Sequence, residues 1–581
     1  MKISKQLKLI IIIELMLPLT LLILGIYHGL MQVIYRAGLL SASSMLKLDY
    51  YQGLTLHGVI NAVVLTTFFA VAFGHAVIAY YLKREPGTKA AWLSLILMVV
   101  GTVMAAWAML IGKASVLYTF YPPLKAHPAF YFGAALLIVG SWIPLVDWWI
   151  QYGRWKKENP SEKMPLAVMG TLVNFMIWFV CTLAVAYEVL VLLLPWSLGW
   201  VETINIPLSR TLFWFFGHAL VYFWLLPAYT MYYTMLPKLA GGKLYSDNAG
   251  RLVFFLFLIL SIPIGAHHQF AEPSITPNTK FFQSLLTFGV VIPSFLTAFT
   301  IAASLEYGAR KRGAKTWLDW MFKLPYFDKE NGLFGYLIMG MFLFIFGGLT
   351  GIVNASYQLS NMIHNTAWIP GHFHMTVAGP VFLGIIGMSM HMLATSTGKT
   401  IRFKNLYTMT PYLWTIGILT FSTGMMWGGL IGEPRRTNLG LTYLNPESPM
   451  FRSEWVPTTE LALWGGIIMA LAFTCYMISL IATFFSKRTS EPAVSFPDTE
   501  VLHAEPRIRI LNNFKPWVIT MLAVIVLSYG PALYDVLKWT GRGAPTYLPD
   551  NPIPENQIIK NDPSSDEGKK EEKVDTSLIE N

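Results

Sequence analysis

Six histidines set in apolar stretches carry the chemistry this sequence could do: His57, His218, His267, His268, His372 and His374. The last two stand in Trp368-Ile369-Pro370-Gly371-His372-Phe373-His374, where a long apolar run begins. A helix turns about 100° per residue, so their rings project about 200° apart and cannot easily share one metal ion. They can instead serve two cofactors on opposite sides of one helix. A pair of neutral imidazoles from facing helices, here His57 and one of His372 and His374, is the ligand set of a six-coordinate haem iron. The other of the two, with no protein ligand opposite, would leave an iron face open. His218 with the neighbours His267 and His268 offers three imidazoles and a vacant position, which suits a copper ion. Pro263, shortly before that pair, removes a backbone hydrogen bond and loosens the helix enough for adjacent rings to converge. A single histidine within a membrane is more often a helix contact than a ligand, but six at one depth on four helices are a different matter.

The elements that must hold these rings are membrane helices. Hydrophobic residues make up 54% of the 581-residue chain and charged residues 13%, against about 25% charged in a soluble domain. Apolar runs long enough to cross a hydrocarbon core of about 30 Å recur throughout. Thirteen spans are expected, at 8–32, 53–82, 90–112, 128–150, 165–195, 209–236, 252–270, 281–304, 332–356, 369–395, 407–431, 459–485 and 516–537. The fold class is therefore all-α, a polytopic membrane bundle of about thirteen helices. Residues 1–540 are expected to form the catalytic membrane domain. Residues 541–581, rich in Pro, Asn, Asp, Glu and Lys, are expected to be a disordered tail on the outer face.

Lys2, Lys5 and Lys8 precede the first apolar run, which is too long for a signal peptide and reads as a retained span. Lys and Arg gather in alternate connections, among them Lys83-Arg84, Arg154-Lys156-Lys157, Arg310-Lys311-Arg312 and Lys487-Arg488. That asymmetry places the N-terminus inside and the C-terminus outside. It also accounts for most of the net charge of +10, so no nucleic-acid partner is implied. The two cysteines, Cys181 and Cys475, sit in separate spans without metal-ligand spacing. A thiolate copper or iron-sulfur centre is excluded here, and electrons that pass through one must enter from another subunit.

Tyr222 follows His218 by four residues, so the ring and the phenol share a helix face. Tyr229 and Tyr233 continue that face at about 20° and 60° from His218, with Pro227 disturbing the projection. Ser294, Thr297 and Thr300 form a second stripe in the inner half of their span. Each hydroxyl alone would normally bond back to its own helix. Two facing stripes that lead inward read as a proton wire to the metal site.

The stretches LTLHGV, WFFGHALVYFWLLPAY, IGAHHQFAEP and NTAWIPGHFH together resemble the catalytic subunit, subunit I, of the haem-copper respiratory oxidases. YTFYPPLKAH and LPKLAGGKLYSDNAGR resemble its B-type branch. The resemblance covers the second to the thirteenth span. It implies that His57 and His374 ligate a low-spin haem, expected to be b-type, and His372 a high-spin haem of a or o type. It implies that His218, His267 and His268 bind one copper ion and that Tyr222 is covalently joined to the His218 ring. The inward proton channel would run along Tyr229, Tyr233, Ser246, Ser294, Thr297 and Thr300. Arg435 and Arg436 would pair with haem propionates, a role that adjacent guanidiniums can also fill on chemical grounds. His364 keeps the family's place near a propionate, while Ser360 stands where B-type relatives carry an aspartate. Leu220 stands where the A-type branch carries a glutamate, so no second, carboxylate-based channel is expected.

The implied activity is reduction of dioxygen to water, with proton uptake and proton pumping, in the lipid of a bacterial cell membrane. Electrons would come from cytochrome c through a partner subunit carrying a dinuclear copper site. Reducing dioxygen without releasing peroxide takes four electrons, and Tyr222 is expected to supply one together with its proton. A nitric oxide reductase on the same scaffold would favour non-haem iron helped by glutamates, and residues 217–224 hold no carboxylate. A proton-coupled transporter would leave the pairing of His57 with the 372/374 motif unexplained. Glu188 remains without a role, and His28, His75, His127, His391 and His503 read as structural or loop residues.

Overall fold

The computed structural model describes residues 1–39 and 48–539, so the expected tail at 541–581 lies outside the described residues. The helices in chain order begin with α1 (Lys5–Arg36), α2 (Tyr50–Leu82), α3 (Thr88–Leu110), α4 (Pro128–Glu158), α5 (Leu166–Ser197), α6 (Ile206–Thr234) and α7 (Asp247–Leu260). They continue with α8 (Pro277–Lys311), α9 (Leu333–Ala355), α10 (Trp368–Thr397), α11 (Lys404–Leu430), α12 (Ser453–Phe484) and α13 (Phe514–Lys538). Among the described residues, 11 of these are long and apolar enough to cross a membrane. The expected count of thirteen is therefore not confirmed. α7, where 252–270 was expected, has 14 residues and about 21 Å of rise, because the chain bends at Ser261 and Pro263. α11 has 27 residues, but its Thr, Gly and Tyr content dilutes its apolar character.

α3 lies along α4, α5 along α6 and α11 along α12. The first pair closes at Gly101 and Gly133, where a Cβ on either residue would come within 2.4 Å of the other's carbonyl oxygen. Small residues at such crossings let backbones touch, which is how membrane helices gain dispersion energy without a hydrophobic drive. α2, α6 and α10 are the most enclosed spans, whereas α8, α12 and α13 turn most of their side chains outward. The enclosed three are those that carry His57, His218, His372 and His374.

Local irregularities aim those rings. α2 opens into wider π-type turns at Val59–Val64, directly after His57, and α10 does so at His374–Val381. Such a turn shifts the register of the side chains beyond it and is frequent at functional sites. After α7 the chain tightens into a 3₁₀ turn, Gly265–Gln269, which holds His267 and His268. An isolated antiparallel bridge, Thr366 to Pro434, ties the loop after α11 to the segment before α10. His75 is a structural histidine: Trp148 Nε1 donates to its Nδ1 at 3.1 Å, and its Nε2 lies 3.6 Å from buried Glu14.

Candidate functional site

α6 presents His218 towards the turn that carries His267 and His268. One ligand nitrogen from each lies within 4.8 Å of the others, and His218 Nδ1 is 3.1 Å from His268 Nε2. Nitrogens that share an ion at about 2 Å each sit this close. His267 Nδ1 donates to Thr287 Oγ1 at 3.2 Å, whose own proton goes to the Gln283 carbonyl at 2.6 Å. That chain fixes the tautomer and leaves the lone pair on His267 Nε2. Gln283 also pins the turn: its Oε1 accepts from the Ala266 N–H at 2.7 Å, and its Nε2 donates to the Ser528 carbonyl on α13 at 3.3 Å. The His268 ring stacks on Trp214 with centroids 3.7 Å apart. The Tyr222 hydroxyl lies 3.3 Å from His218 Nε2.

His57 and His374 face each other with centroids 6.1 Å apart and planes 9° from parallel. Each donates from Nδ1 to a backbone carbonyl, His57 to Gly25 at 2.9 Å and His374 to Pro370 at 2.7 Å. A carbonyl only accepts, so the proton is on Nδ1 and Nε2 keeps its lone pair. Two such nitrogens facing each other across this gap would hold one iron between them. A Cβ on Gly29 would come within 2.7 Å of the His57 ring, so glycine is what lets this ring sit against α1. On the opposite side of α10, His372 Nδ1 donates to Thr350 Oγ1 at 2.9 Å, and Thr350 passes its proton to the Gly347 carbonyl at 2.8 Å. His372 Nε2 is thereby left as a ligand atom as well.

A cavity of about 570 Å³ runs past both sets of rings and is lined at one end by Ser360, His364, Arg435 and Arg436. Arg36 Nε, Arg435 Nε, Asn354 Oδ1 and Trp214 Nε1, all from residues on its wall, are buried without a hydrogen-bond partner among the described residues. Leaving such atoms unpaired costs about 1–3 kcal/mol each. Three aligned imidazoles, guanidiniums for acidic substituents and unpaired polar atoms along one cavity fit two haems, and the histidine trio beside them fits a metal ion.

The arginine loop is held in place from two directions. The Arg435 N–H donates to the Asn365 carbonyl at 3.0 Å and its Nη2 to Asn365 Oδ1 at 2.8 Å. Arg436 takes a left-handed backbone, φ +58°, and donates to Thr119 Oγ1 at 3.3 Å. Burial, followed by the charges of Arg435, Arg210 and Arg436, lowers the His364 pKa to about 4, so its ring is neutral at pH 7. Burial and then Arg436 lower Arg435 to about 10.

Reasoning from sequence missed the second support, an ion pair between Arg36 on α1 and Glu433 in this loop, both buried. Thr458 Oγ1 donates to the other Glu433 oxygen at 3.0 Å. Arg36→Met would leave Glu433 buried and unpaired, which is expected to cost about 3–5 kcal/mol. The check is the thermal midpoint of the solubilised protein, which Arg36→Met lowers and Arg36→Met/Glu433→Gln largely restores.

The expected proton wire is joined in part. Tyr233 OH and Thr297 Oγ1 are 3.0 Å apart. Thr297 and Thr300 also bond back to their own helix, at the carbonyls of Pro293 and Leu296. Tyr229 OH is buried near Ser294, which lines the cavity. Ser246 caps α7, accepting from the Ala249 N–H at 3.0 Å, and donates to Glu505, a residue that sequence reasoning passed over. Leu220 and Ser360 are buried, and Glu188 is a buried carboxyl that accepts from Ser209 at 2.6 Å.

The family described as Cytochrome C and Quinol oxidase polypeptide I matches residues 9–468. Cytochrome c oxidase subunit 1 of Thermus thermophilus is 41% identical, over 84% of this chain and 86% of its own length. A heme-copper oxidase subunit I+III of Aeropyrum pernix is 24% identical, over 74% of this chain and 52% of its own. A cryo-EM structure of a heme-copper terminal oxidase dimer superposes with a TM-score of 0.92 at 49% identity, covering 96% of this chain and 97% of that one. The Thermus relative accords with the B-type motifs, and neither the nitric oxide reductase nor the transporter reading is favoured. The chain belongs to the cytochrome c and quinol oxidase polypeptide I family, as the multi-pass membrane subunit of a haem-copper terminal oxidase.

Proposed function

We propose that His57 and His374 would hold a low-spin b-type haem, that His372 would hold a high-spin haem of a or o type, and that His218, His267 and His268 would hold the copper. The observation that carries this reading is the placement of His372 and His374 on opposite sides of α10, each facing histidines from another helix. When bound, the haems and the copper deliver electrons to dioxygen, which is reduced to water.

The chain's own residues do the rest. His57 and His374 would hold one haem from two sides, which would leave no place there for a gas. His372 offers one nitrogen and leaves the far side free, towards the copper histidines. Tyr222 holds a proton at its hydroxyl beside His218 Nε2, and a covalent link between the two rings would keep that hydroxyl at the reacting pair. Arg435 and Arg436 would neutralise the haem propionates, and His364 stands beside them as a neutral ring.

Protons reach Tyr222 from the inner face through Ser246, Thr300, Thr297, Tyr233, Ser294 and Tyr229. Tyr233→Phe removes one hydrogen bond of that route and keeps the ring. It is expected to slow turnover about tenfold or more, while the haem spectra and carbon monoxide recombination stay as in the parent. Unchanged turnover would remove Tyr233 from the route.

The histidine end faces outside and the N-terminus inside. The exposed apolar side chains of Tyr357, Leu359, Met362 and Leu441 near that end suit a second oxidase subunit bearing dinuclear copper, with cytochrome c as the donor. Oxygen consumption by the purified complex with reduced cytochrome c, set against quinol, decides the donor.

A further inference from the structure

The connection between α8 and α9, at the end of the bundle remote from the histidines, has no part in the chemistry above. Over residues 312–332 it exposes three large aromatic side chains: Trp317 at 79%, Phe322 at 81% and Phe327 at 64%. They are presented by an ordered turn. The Asp319 carboxylate accepts from the N–H groups of Lys315 and Thr316, both at 2.8 Å, and Thr316 Oγ1 accepts in return from the Asp319 N–H at 3.2 Å. Tyr326 OH closes the turn on the Met321 carbonyl at 2.6 Å, and the Phe327 ring packs on Tyr412 of α11 with centroids 4.9 Å apart.

Charge surrounds the aromatics. Glu306 is engaged by Arg310 at 2.6 Å and Glu330 by Lys404 at 2.6 Å. Lys315, Lys323 and Lys329 have no carboxylate partner among the described residues. The two helices the connection joins expose apolar side chains as well, among them Phe299 on α8 and Phe342 on α9. Because α8 and α9 are both membrane spans, the turn between their ends lies at the depth of lipid headgroups. Aromatic rings favour that depth, and lysines there are drawn to anionic lipid.

We propose that this connection is a binding site for anionic phospholipid: Trp317 and Phe322 insert at the headgroup boundary, and Lys315 and Lys323 take the phosphate. Charge complementarity and continuity with the lipid-facing sides of α8 and α9 select this occupant. The site does not depend on the roles given to the histidines.

The test uses the whole oxidase complex in nanodiscs, with Phe322→Cys labelled by a small fluorophore and the signal of the unsubstituted complex subtracted. Spin-labelled phosphatidylglycerol and spin-labelled phosphatidylcholine are the quenchers, at equal mole fraction. Phosphatidylglycerol is expected to quench about threefold more strongly or better, and Lys315→Gln/Lys323→Gln to erase the difference with the haem spectra unchanged. Equal quenching by the two lipids would overturn the anionic site. No quenching by either would show the turn covered by protein or water and would overturn it too.

Discussion

Replacing His267 with asparagine is expected to remove copper from the protein and to cut oxygen reduction by about 100-fold or more. The ring is one of three whose ligand atoms converge within 4.8 Å, and its tautomer is fixed by Thr287. Asparagine keeps much of the bulk and polarity, so the 3₁₀ turn survives through Gln283. Metal analysis and oxygen uptake on the same preparation make the check. Copper is lost, while the bis-histidine haem band persists because His57 and His374 lie on other helices. Full copper retention would mean that the metal is held elsewhere.

Tyr222→Phe separates the redox and proton role of the phenol from its packing. The ring keeps its contact with Phe257, 5.4 Å between centroids, and only the hydroxyl beside His218 Nε2 is lost. Turnover is expected to fall about 100-fold or more, the usual weight of a positioned proton donor. Haem and copper content and carbon monoxide binding stay at parent values. Near-normal turnover with intact metals would show that another group supplies the proton and electron.

Much of this site was legible because helical periodicity acts over short distances. The two-residue spacing of His372 and His374 dictates opposite faces, and Pro263 before the adjacent His267 and His268 announces a loosened helix. Contacts between distant segments left no such mark. Arg36 and Glu433 are 397 residues apart, and Ser246 and Glu505 are 259 apart, so neither pairing has a local pattern. Thr350 meets His372 across a helix interface, and nothing in Gly347-Gly348-Leu349-Thr350 announces that an imidazole will donate to it. The hydroxyl stripe shows the opposite limit. Its spacing was read as a wire, yet Thr297 and Thr300 also satisfy themselves on their own helix, as isolated hydroxyls do. The seventh span was expected to reach residue 270 because hydropathy runs past Leu260, where backbone geometry stops the helix.

Metal content together with reduced and reduced-plus-carbon-monoxide visible spectra decides whether these histidines hold two haems and a copper. Two haems and one copper in this subunit are expected, with a single haem band moving on carbon monoxide, because His57 and His374 would hold one haem from both sides and His372 the other from one side only. Two haems with non-haem iron in place of copper, or carbon monoxide shifts in both bands, would contradict it.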